Sequence, residues 1–317
     1  METTEHRLAL KLRRLKLLHL EVVAAIAEHG SLTAAAAALG RSQPAVSQQL
    51  AEAEDALGVA LFSRGRQIKA TPYLPAVLRY ARRTINDSWH LKSELETLAQ
   101  SGQSILRVGT MLVTGTSLVP DVIIGLREQA QAIQLELIED IAAGLWARFE
   151  RREIDLIVGR LDERAYAAHV RAEALYKDRH CVVVNDRHPL LKQAKLSWGE
   201  TGAHPWVLPP RDTALRRAID ATFLDQGLSP PIPWVESAAP SVNLGLLTKT
   251  DCLSVMSRSA ARQYVSFGAC AVLPLTLKYD VGPVGMAWAA ALDHPALTAV
   301  LEALRLAARK QAVWLAG

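Results

Sequence analysis

Short polar side chains cluster between Ser42 and Gln48, at the start of one predicted helix. Serine and glutamine side chains in the first turns of a helix can hydrogen-bond to base edges in the major groove of DNA. Val46 and Leu50 lie at helical spacing and are expected to face inward. Every three-helix bundle has capped helices with polar faces, so this pattern alone leaves a purely structural helix open.

Three cations surround a glycine between Phe62 and Lys69. A basic β-hairpin can lie along the phosphates of DNA, which position a protein on the duplex without reading its sequence. This segment therefore favours DNA binding over the structural alternative. The predicted DNA-contacting residues are Thr33, Ser42, Gln43, Pro44, Ala45, Ser47, Gln48, Arg64, Arg66 and Lys69.

Three short helices are expected to position these side chains. Apolar residues recur at helical spacing between Leu15 and Ile26, and a second helix is predicted over residues 32–39. Gly40 supplies a tight turn into a third helix over residues 43–57. Two short helices joined by a tight turn are typical of a helix-turn-helix unit.

A long helix is predicted next, from between Pro72 and Pro75 to near Gly102. Its small and apolar residues alternate at spacings of four and three, which is a heptad pattern. The pattern predicts a linker helix that dimerises the protein, and the alternative is a core helix of one domain. The heptad positions are Val77, Ala81, Thr84, Ser88, Leu91, Leu95 and Leu98.

From Ile105 to Ala289, strand-like apolar segments alternate with helices, which predicts an α/β sheet of parallel strands. Ligands of such sheets bind at the carboxyl ends of the strands. Thr213 would also open a helix whose free N–H groups suit a carboxylate or a phosphate. For Arg160 and Arg211, the alternative to contact with a ligand is an ion pair at the surface or between the two lobes. The predicted ligand-contacting residues are Thr110, Met111, Arg160, Arg211, Asp212, Thr213 and Ser237.

No pattern in the chain predicts catalysis. G-x-S-x-G, H-E-x-x-H and G-x-x-x-x-G-K-[ST] do not occur, and no nucleophile pairs with Asp155 or Asp162. The three cysteines are far apart in sequence and form no C-x-x-C pair. We therefore expect reduced, buried thiols and no catalytic residue, metal or cofactor.

Composition and length predict two globular domains: 317 residues, half of them hydrophobic, with a net charge of +4. The first 20 residues lack the apolar core of a signal peptide, and no apolar run is long enough to span a membrane. A cytoplasmic protein without membrane contact is expected. A pure solute-binding protein would explain residues 105–311, but it needs a secretion signal and leaves residues 13–70 without a role.

The stretch from Ser31 to Arg64 resembles the LysR-type transcriptional regulators. Their pattern S-[FL]-T-x-A-A-x-x-L-x-x-S-Q-P-A-[LV]-S, followed by L-G-x-x-L-F-x-R, aligns here without a gap. The sequence His188-Pro189-Leu190 is also similar to that family. Residues 206–216 resemble a subgroup that includes galactose-binding-protein and protocatechuate-type regulators. Two departures are Arg41, where an apolar turn residue is usual, and Ala53, where leucine is usual.

The resemblance implies a fold of α+β and α/β type in three parts. A winged helix-turn-helix DNA-binding domain is expected in residues 1–73, a dimerising linker helix in 74–102 and an effector-binding domain in 103–317. That last domain is expected to have two lobes like a periplasmic binding protein. Lobe one would take residues 105–175 and 279–311, and lobe two residues 176–278.

The implied function is a sequence-specific transcription regulator. A small-molecule effector would control how it binds or bends promoter DNA. Arg160, Arg211 and Thr213 favour an organic acid as that effector, and a sugar-responsive regulator is the first alternative. An architectural DNA binder without an effector is the second. The family also implies a homodimer through the linker helix, a homotetramer, and RNA polymerase as a further candidate partner.

Overall fold

The computed structural model describes residues 12–63, 68–100, 104–129 and 133–316. These residues fall into two compact units. The first unit lies within residues 1–102 and also includes 147–153, and the second comprises the rest of the chain from residue 103 onward. No helix in the described ranges is long and apolar enough to cross a membrane.

The first unit contains three short helices, a two-stranded antiparallel sheet and one long helix. The Oγ atoms of Ser31 and Ser42 accept hydrogen bonds from backbone N–H groups at the starts of two helices. Each serine therefore caps its helix, and the predicted helix order is confirmed. The elements are α1 (Leu17–His29), α2 (Leu32–Ala38), α3 (Gln43–Leu57), β1 (Phe62–Ser63), β2 (Lys69–Ala70) and α4 (Leu74–Gln100).

A small apolar core joins α1, α2 and α3 to the start of α4. Ile26, Val46 and Leu61 are completely buried in this core, and Leu74 of α4 packs into it. Ala53 is also completely buried, so the residue that departs from the family pattern fills a core position with a smaller side chain. Arg41 is exposed in the turn between α2 and α3, where its departure does not disturb the core.

The second unit contains two five-stranded sheets. The strands are β3 (Ser104–Thr110), β4 (Ile133–Glu139), β5 (Leu156–Arg160), β6 (Val170–Tyr176), β7 (His180–Val184), β8 (Trp206–Leu208), β9 (Pro233–Glu236), β10 (Leu253–Ser257), β11 (Ala271–Thr276) and β12 (Val284–Ala289). The first sheet has the strand order β4-β3-β5-β12-β6, and the second sheet has the order β11-β7-β10-β8-β9.

Helices connect these strands and cover the sheets. They are α5 (Leu112–Gly115), α6 (Leu118–Glu128), α7 (Ala142–Glu150), α8 (Ala214–Asp225), α9 (Pro240–Lys249), α10 (Arg258–Ser266) and α11 (Leu297–Ala316). The core of the second sheet includes Trp206 and Phe223, whose rings meet edge to face with 5.7 Å between their centroids.

The prediction of wholly parallel sheets is wrong. The chain passes between the sheets twice, through residues 177–179 and 277–283, which we call the crossing segments. β12 returns to the first sheet from the end at which β6 left it, so the two strands run antiparallel, with Val284 opposite Tyr176. β12 is also antiparallel to β5, and β7 is likewise antiparallel to β10 and β11. The other strand pairs of these two sheets are parallel.

One strand, β6, was not predicted from the sequence. It is an edge strand in which exposed Arg171 and partly buried Glu173 interrupt the apolar residues. Glu173 forms an ion pair with Arg305 of α11, with 2.7 Å between the charged atoms. A half-exposed edge strand with charged residues gives a weak hydrophobic pattern, which explains why it was missed.

Candidate nucleic-acid interface and ligand cleft

One face of α3 displays the polar residues that the sequence singled out. Ser42, Gln43, Ser47 and Gln48 are all exposed. Val46 is completely buried on the opposite side, as predicted. Leu50 is partly buried against the same core. The helix thus presents hydrogen-bonding side chains outward from a rigid apolar base.

The other predicted DNA-contacting residues lie on neighbouring elements. Thr33 is exposed in the first turn of α2, and Lys69 is exposed in β2. Pro44 is exposed in the first turn of α3, and Ala45 is partly buried beside it. Two of the predicted cations, Arg64 and Arg66, lie outside the described residues.

A hydrogen-bonded network that the sequence did not reveal adjoins this face. Gln48 Nε2 donates to Glu52 Oε1 at 2.9 Å, and Glu52 Oε2 lies 3.3 Å from Nε2 of the buried His19. The hydrogen bond from Gln48, followed by the contact with His19 and the charge of Lys16, holds the pKa of Glu52 below its ordinary value. Glu52 is therefore ionised at neutral pH.

Glu54 fixes the start of the two-stranded sheet. Its Oε1 accepts hydrogen bonds from the backbone N–H groups of Leu61 at 2.6 Å and Phe62 at 3.2 Å. These groups lie seven and eight residues further along the chain, beyond any local spacing rule. The contact connects α3 to β1, so it determines where the strands carrying Lys69 leave the bundle.

Arg160 binds both crossing segments of the second unit. Its guanidinium donates to the carbonyl of Gly282 at 2.7 Å and to the carbonyl of Asp178 at 2.5 Å. Gly282 has a positive φ of 92°, and a Cβ atom there would lie 2.6 Å from the Leu161 carbonyl oxygen. Only glycine fits this position. Arg160 therefore ties the two connections between the sheets together at the end of β5.

A buried carboxyl group lies beside Arg160. Asp178 Oδ2 is 2.6 Å from the hydroxyl of Ser259, at the start of α10. The same hydroxyl is 3.2 Å from the Val113 carbonyl of α5, so these contacts link a helix of the second sheet to one of the first. Burial raises the pKa of Asp178, against the opposing effects of Ser259 and Arg160. No local pattern predicts these contacts of Ser259, because its two partners are 81 and 146 residues away along the chain.

The two predicted residues at the end of β3, Thr110 and Met111, are buried. Thr110 is buried, with its hydroxyl 2.9 Å from that of Thr114, which in turn donates to the Val158 carbonyl at 2.7 Å. Met111 is also buried, and its sulfur accepts from the Arg160 N–H at 3.3 Å. A Cβ atom at Gly159 would lie 2.7 Å from this Met111 side chain. Thr110 thus has protein partners, and Met111 packs against the end of β5.

The predicted helix start after β8 is confirmed. Thr213 Oγ1 accepts from the Arg216 N–H at 3.2 Å and caps α8. Arg211 is 79 % exposed, with its Nε 3.9 Å from Glu236 Oε2 at the end of β9. Asp212 is exposed and accepts from Arg217 through its carbonyl. Ser237 accepts from the Ala239 N–H at 3.0 Å just before α9.

Arg216 is a functional candidate that the sequence analysis missed. It is buried in the first turn of α8, where its Nε lies 3.0 Å from Asp220 and its Nη1 3.4 Å from Glu236. Glu236 therefore lies within ion-pair distance of both Arg211 and Arg216. The sequence does contain a signal for Arg216, which is the spacing R-D-T-x-x-R. It places Arg211 and Arg216 on either side of the helix cap Thr213. An anion at this helix start would compete with the Glu236 carboxylate.

The three cysteines are free and buried, as predicted. Burial raises the pKa of Cys181 to about 12 and that of Cys270 to about 11, so both thiols are protonated at neutral pH. Among the residues that the structure describes, no group of three or more histidine, cysteine or acidic side chains could hold a metal ion.

A helix-turn-helix unit followed by a two-sheet unit defines a DNA-binding regulator with a ligand-binding domain. Residues 17–73 match the family model for the bacterial regulatory helix-turn-helix protein of the lysR family. Residues 99–309 match the model for the LysR substrate binding domain. The chain therefore belongs to the LysR family of transcription regulators, which confirms the resemblance and the predicted fold class.

Known relatives agree with this membership. The chain is 30 % identical over 277 residues to the HTH-type transcriptional regulator GbpR of Azospirillum brasilense, covering 87 % of this chain and 81 % of the relative. It is 27 % identical to the regulator PcaQ of Agrobacterium fabrum, covering 86 % and 88 %. The crystal structure of full-length CbnR complexed with its target DNA has the same fold, with a TM-score of 0.67 at 19 % identity, covering 92 % and 100 %. The protein is thus a regulator and not an enzyme.

Proposed function

We propose that α3 reads the base sequence of promoter DNA while the two-stranded sheet contacts phosphates. The observation that carries this proposal is the exposed polar face of α3, opposite the completely buried Val46. Gln43 and Ser47 supply donors and acceptors to base edges, and Lys69, with Arg64 and Arg66, supplies positive charge. A protein that binds promoter DNA acts where the chromosome is, and for this regulator we propose the cytoplasm.

The test compares DNA affinity for two duplexes, one selected from a randomised library and one of random sequence. Gln43→Ala or Ser47→Ala should cost roughly 1–3 kcal/mol on the selected duplex and little on the random one. Lys69→Ala is the matched control, because loss of a phosphate contact should weaken both and lower the salt slope by about one. Equal losses on both duplexes for Gln43→Ala would contradict the assignment.

We propose further that the protein is a homodimer through α4, assembled into a homotetramer, with RNA polymerase as a further partner at the promoter. Leu91 and Leu95 support the dimer, because each is 57 % exposed although both occupy heptad positions of α4. A second copy of α4 would cover them.

For the effector we propose a small organic anion bound between the two sheets. Arg211 supports this proposal, because it is mostly exposed and 3.9 Å from its acidic neighbour, so an anion can reach its guanidinium. Arg160 retains N–H groups beyond the two that bind carbonyls, and the start of α8 at Thr213 adds oriented N–H donors. Met111 would meet the apolar part of the ligand. A sugar effector and an effector-free architectural protein are the competing proposals.

Titration with a panel of carboxylic acids and neutral sugars, followed by calorimetry, separates these proposals. Arg160→Ala and Arg211→Ala should each weaken an acid ligand by roughly tenfold or more, the scale of one charge-assisted hydrogen bond. Arg187→Ala is the matched control. Arg187 is exposed and comes after the last residue of β7, whereas the crossing segments lie at the other end of this strand. A sugar that binds best and is indifferent to both arginines would favour the sugar alternative, and no ligand at all would favour the architectural one.

A further inference from the structure

Glu52 lies one helical turn after Gln48 on α3 and holds its side-chain amide. Gln48 Nε2 donates to Glu52 Oε1 at 2.9 Å, while both side chains remain accessible at the surface of the helix. Gln48 is one of the residues to which we assign base reading. What restrains its amide therefore determines which donors and acceptors it can offer to DNA.

Glu52 is itself held from the core side. His19, in the first turn of α1, is buried, and its Nε2 lies 3.3 Å from Glu52 Oε2. The backbone N–H of Lys16 donates to His19 Nδ1 at 3.3 Å, so Nδ1 is the acceptor of the ring. The ring proton of a neutral His19 is then on Nε2 and is donated to Glu52. Each oxygen of the Glu52 carboxylate has one partner, which restricts its rotation.

This carboxylate favours one of the two orientations of the Gln48 amide. A glutamine amide can turn by half a rotation, which exchanges its oxygen and its NH2 group. In the turned orientation, Gln48 Oε1 would face an anionic oxygen with no proton between them, which is repulsive. Nε2 therefore stays on Glu52, and Oε1 with one N–H remains free for DNA.

We propose that Glu52 is a positioning residue that sets the base preference of Gln48, an inference that rests on the proposed reading of bases by α3. A free carbonyl oxygen selects a base that offers an exocyclic amino group in the major groove, which is adenine or cytosine. Guanine and thymine present only acceptors to hydrogen bonding there. The remaining N–H of Gln48 can add adenine N7, so adenine is the better of the two.

Selection from a randomised duplex library, with sequencing of the bound fraction, tests this proposal. Gln48→Ala first identifies the position that Gln48 reads. Glu52→Gln keeps the size of the side chain but tolerates either amide orientation. At the base position that Gln48 reads, Glu52→Gln should lower the ratio of adenine and cytosine to guanine and thymine in the bound fraction. The expected change is roughly fivefold or more, the scale of one base-edge hydrogen bond. Preferences at all other positions should not change.

Two further variants separate positioning from other effects. Asp55→Asn removes the same charge from an exposed residue of the same helix and should leave every base preference as in the parent. Glu52→Ala removes the carboxylate without adding an amide and should relax the same position as Glu52→Gln. Thermal melting of each variant establishes that the domain is folded, which is expected because Glu52 is partly exposed.

The outcomes distinguish this inference from the proposed function. If Gln48→Ala changes a position that neither Glu52 variant changes, Glu52 does not position Gln48 and base reading by α3 stands. If Gln43→Ala changes the base preference at one position while Gln48→Ala changes it at none, Gln48 reads no base. The inference is then overturned as well. If none of the α3 variants changes any position, the proposed function itself fails.

Discussion

His180 begins β7 at the first crossing segment, and its surroundings decide its charge. Burial, together with the nearby Arg160 guanidinium, lowers the pKa of His180 to about 3. An unfolded chain would have this pKa at about 6.5. The imidazole is therefore neutral in the folded protein throughout the range in which an exposed histidine becomes charged.

This difference predicts acid sensitivity of the ligand-binding unit. Between about pH 6.5 and pH 3, the unfolded chain binds more protons than the folded chain, so the free energy of unfolding falls as pH falls. His180→Gln removes this contribution and should flatten the loss of Tm between pH 7 and about pH 4.5. His29→Gln, at the exposed end of α1, should retain the loss of the parent. Parallel pH profiles for parent and His180→Gln would refute the prediction.

At the scale of single residues, the sequence predicted the polar face of α3 but not the contacts of Arg160. A helix repeats every 3.6 residues, so burial of Val46 and exposure of Gln43 and Ser47 follow from local spacing. The partners of Arg160 are 18 and 122 residues away, at Asp178 and Gly282. No local pattern encodes such contacts, and the two crossing segments that create them appear only once both sheets have formed.

At the scale of the elements, exposed apolar residues of α4 support a partner helix that covers them. Its start is packed into the core of the first unit through Leu74, and Ala81 is completely buried. Further along, Leu91 and Leu95 are more than half exposed at heptad spacing. An exposed apolar stripe on a long helix is stabilised when a second helix covers it.

Leu91→Glu combined with Leu95→Glu should therefore dissociate the proposed dimer. Two carboxylates at positions that α4 would bury against its partner cost several kcal/mol of desolvation without a compensating charge. Sedimentation equilibrium should report a lower mass than for the parent. Lys92→Glu places one carboxylate in the same turn but off the heptad stripe and should keep the parent mass. An unchanged mass for the double variant, with DNA binding intact, would show that α4 is not the interface.

The helices were the more predictable elements. Serine caps mark the starts of α2 and α3, and a glycine lies within two residues of the end of each of α1, α2 and α3. These bounds were predictable because capping chemistry is local. Strand direction was not predictable in the same way. Alternating strands and helices suggested parallel pairing, whereas β12 returns through a crossing segment and pairs antiparallel with both β5 and β6. Direction depends on the path of the whole chain, which no segment contains.

On the scale of the whole molecule, one chain combines a DNA-reading unit with a ligand-binding unit. The net charge of +4 is too small to make the protein a general DNA binder, so the affinity for random DNA must come from a local basic surface. In the function that we propose, sequence-specific contacts from α3 supply the preference for a promoter. Family membership establishes that the protein is a transcription regulator. The proposed phosphate contacts would supply affinity for DNA of any sequence, and the proposed base contacts of α3 would supply the preference for one sequence.

The most direct test is the ratio of affinities of the parent protein for the selected duplex and for a random duplex, measured across salt concentrations. Specific regulators bind their sites at least ~10³-fold more tightly than random DNA, and phosphate contacts make both affinities fall with salt. We expect such a ratio here. A ratio near one at every salt concentration would contradict sequence-specific recognition by this protein.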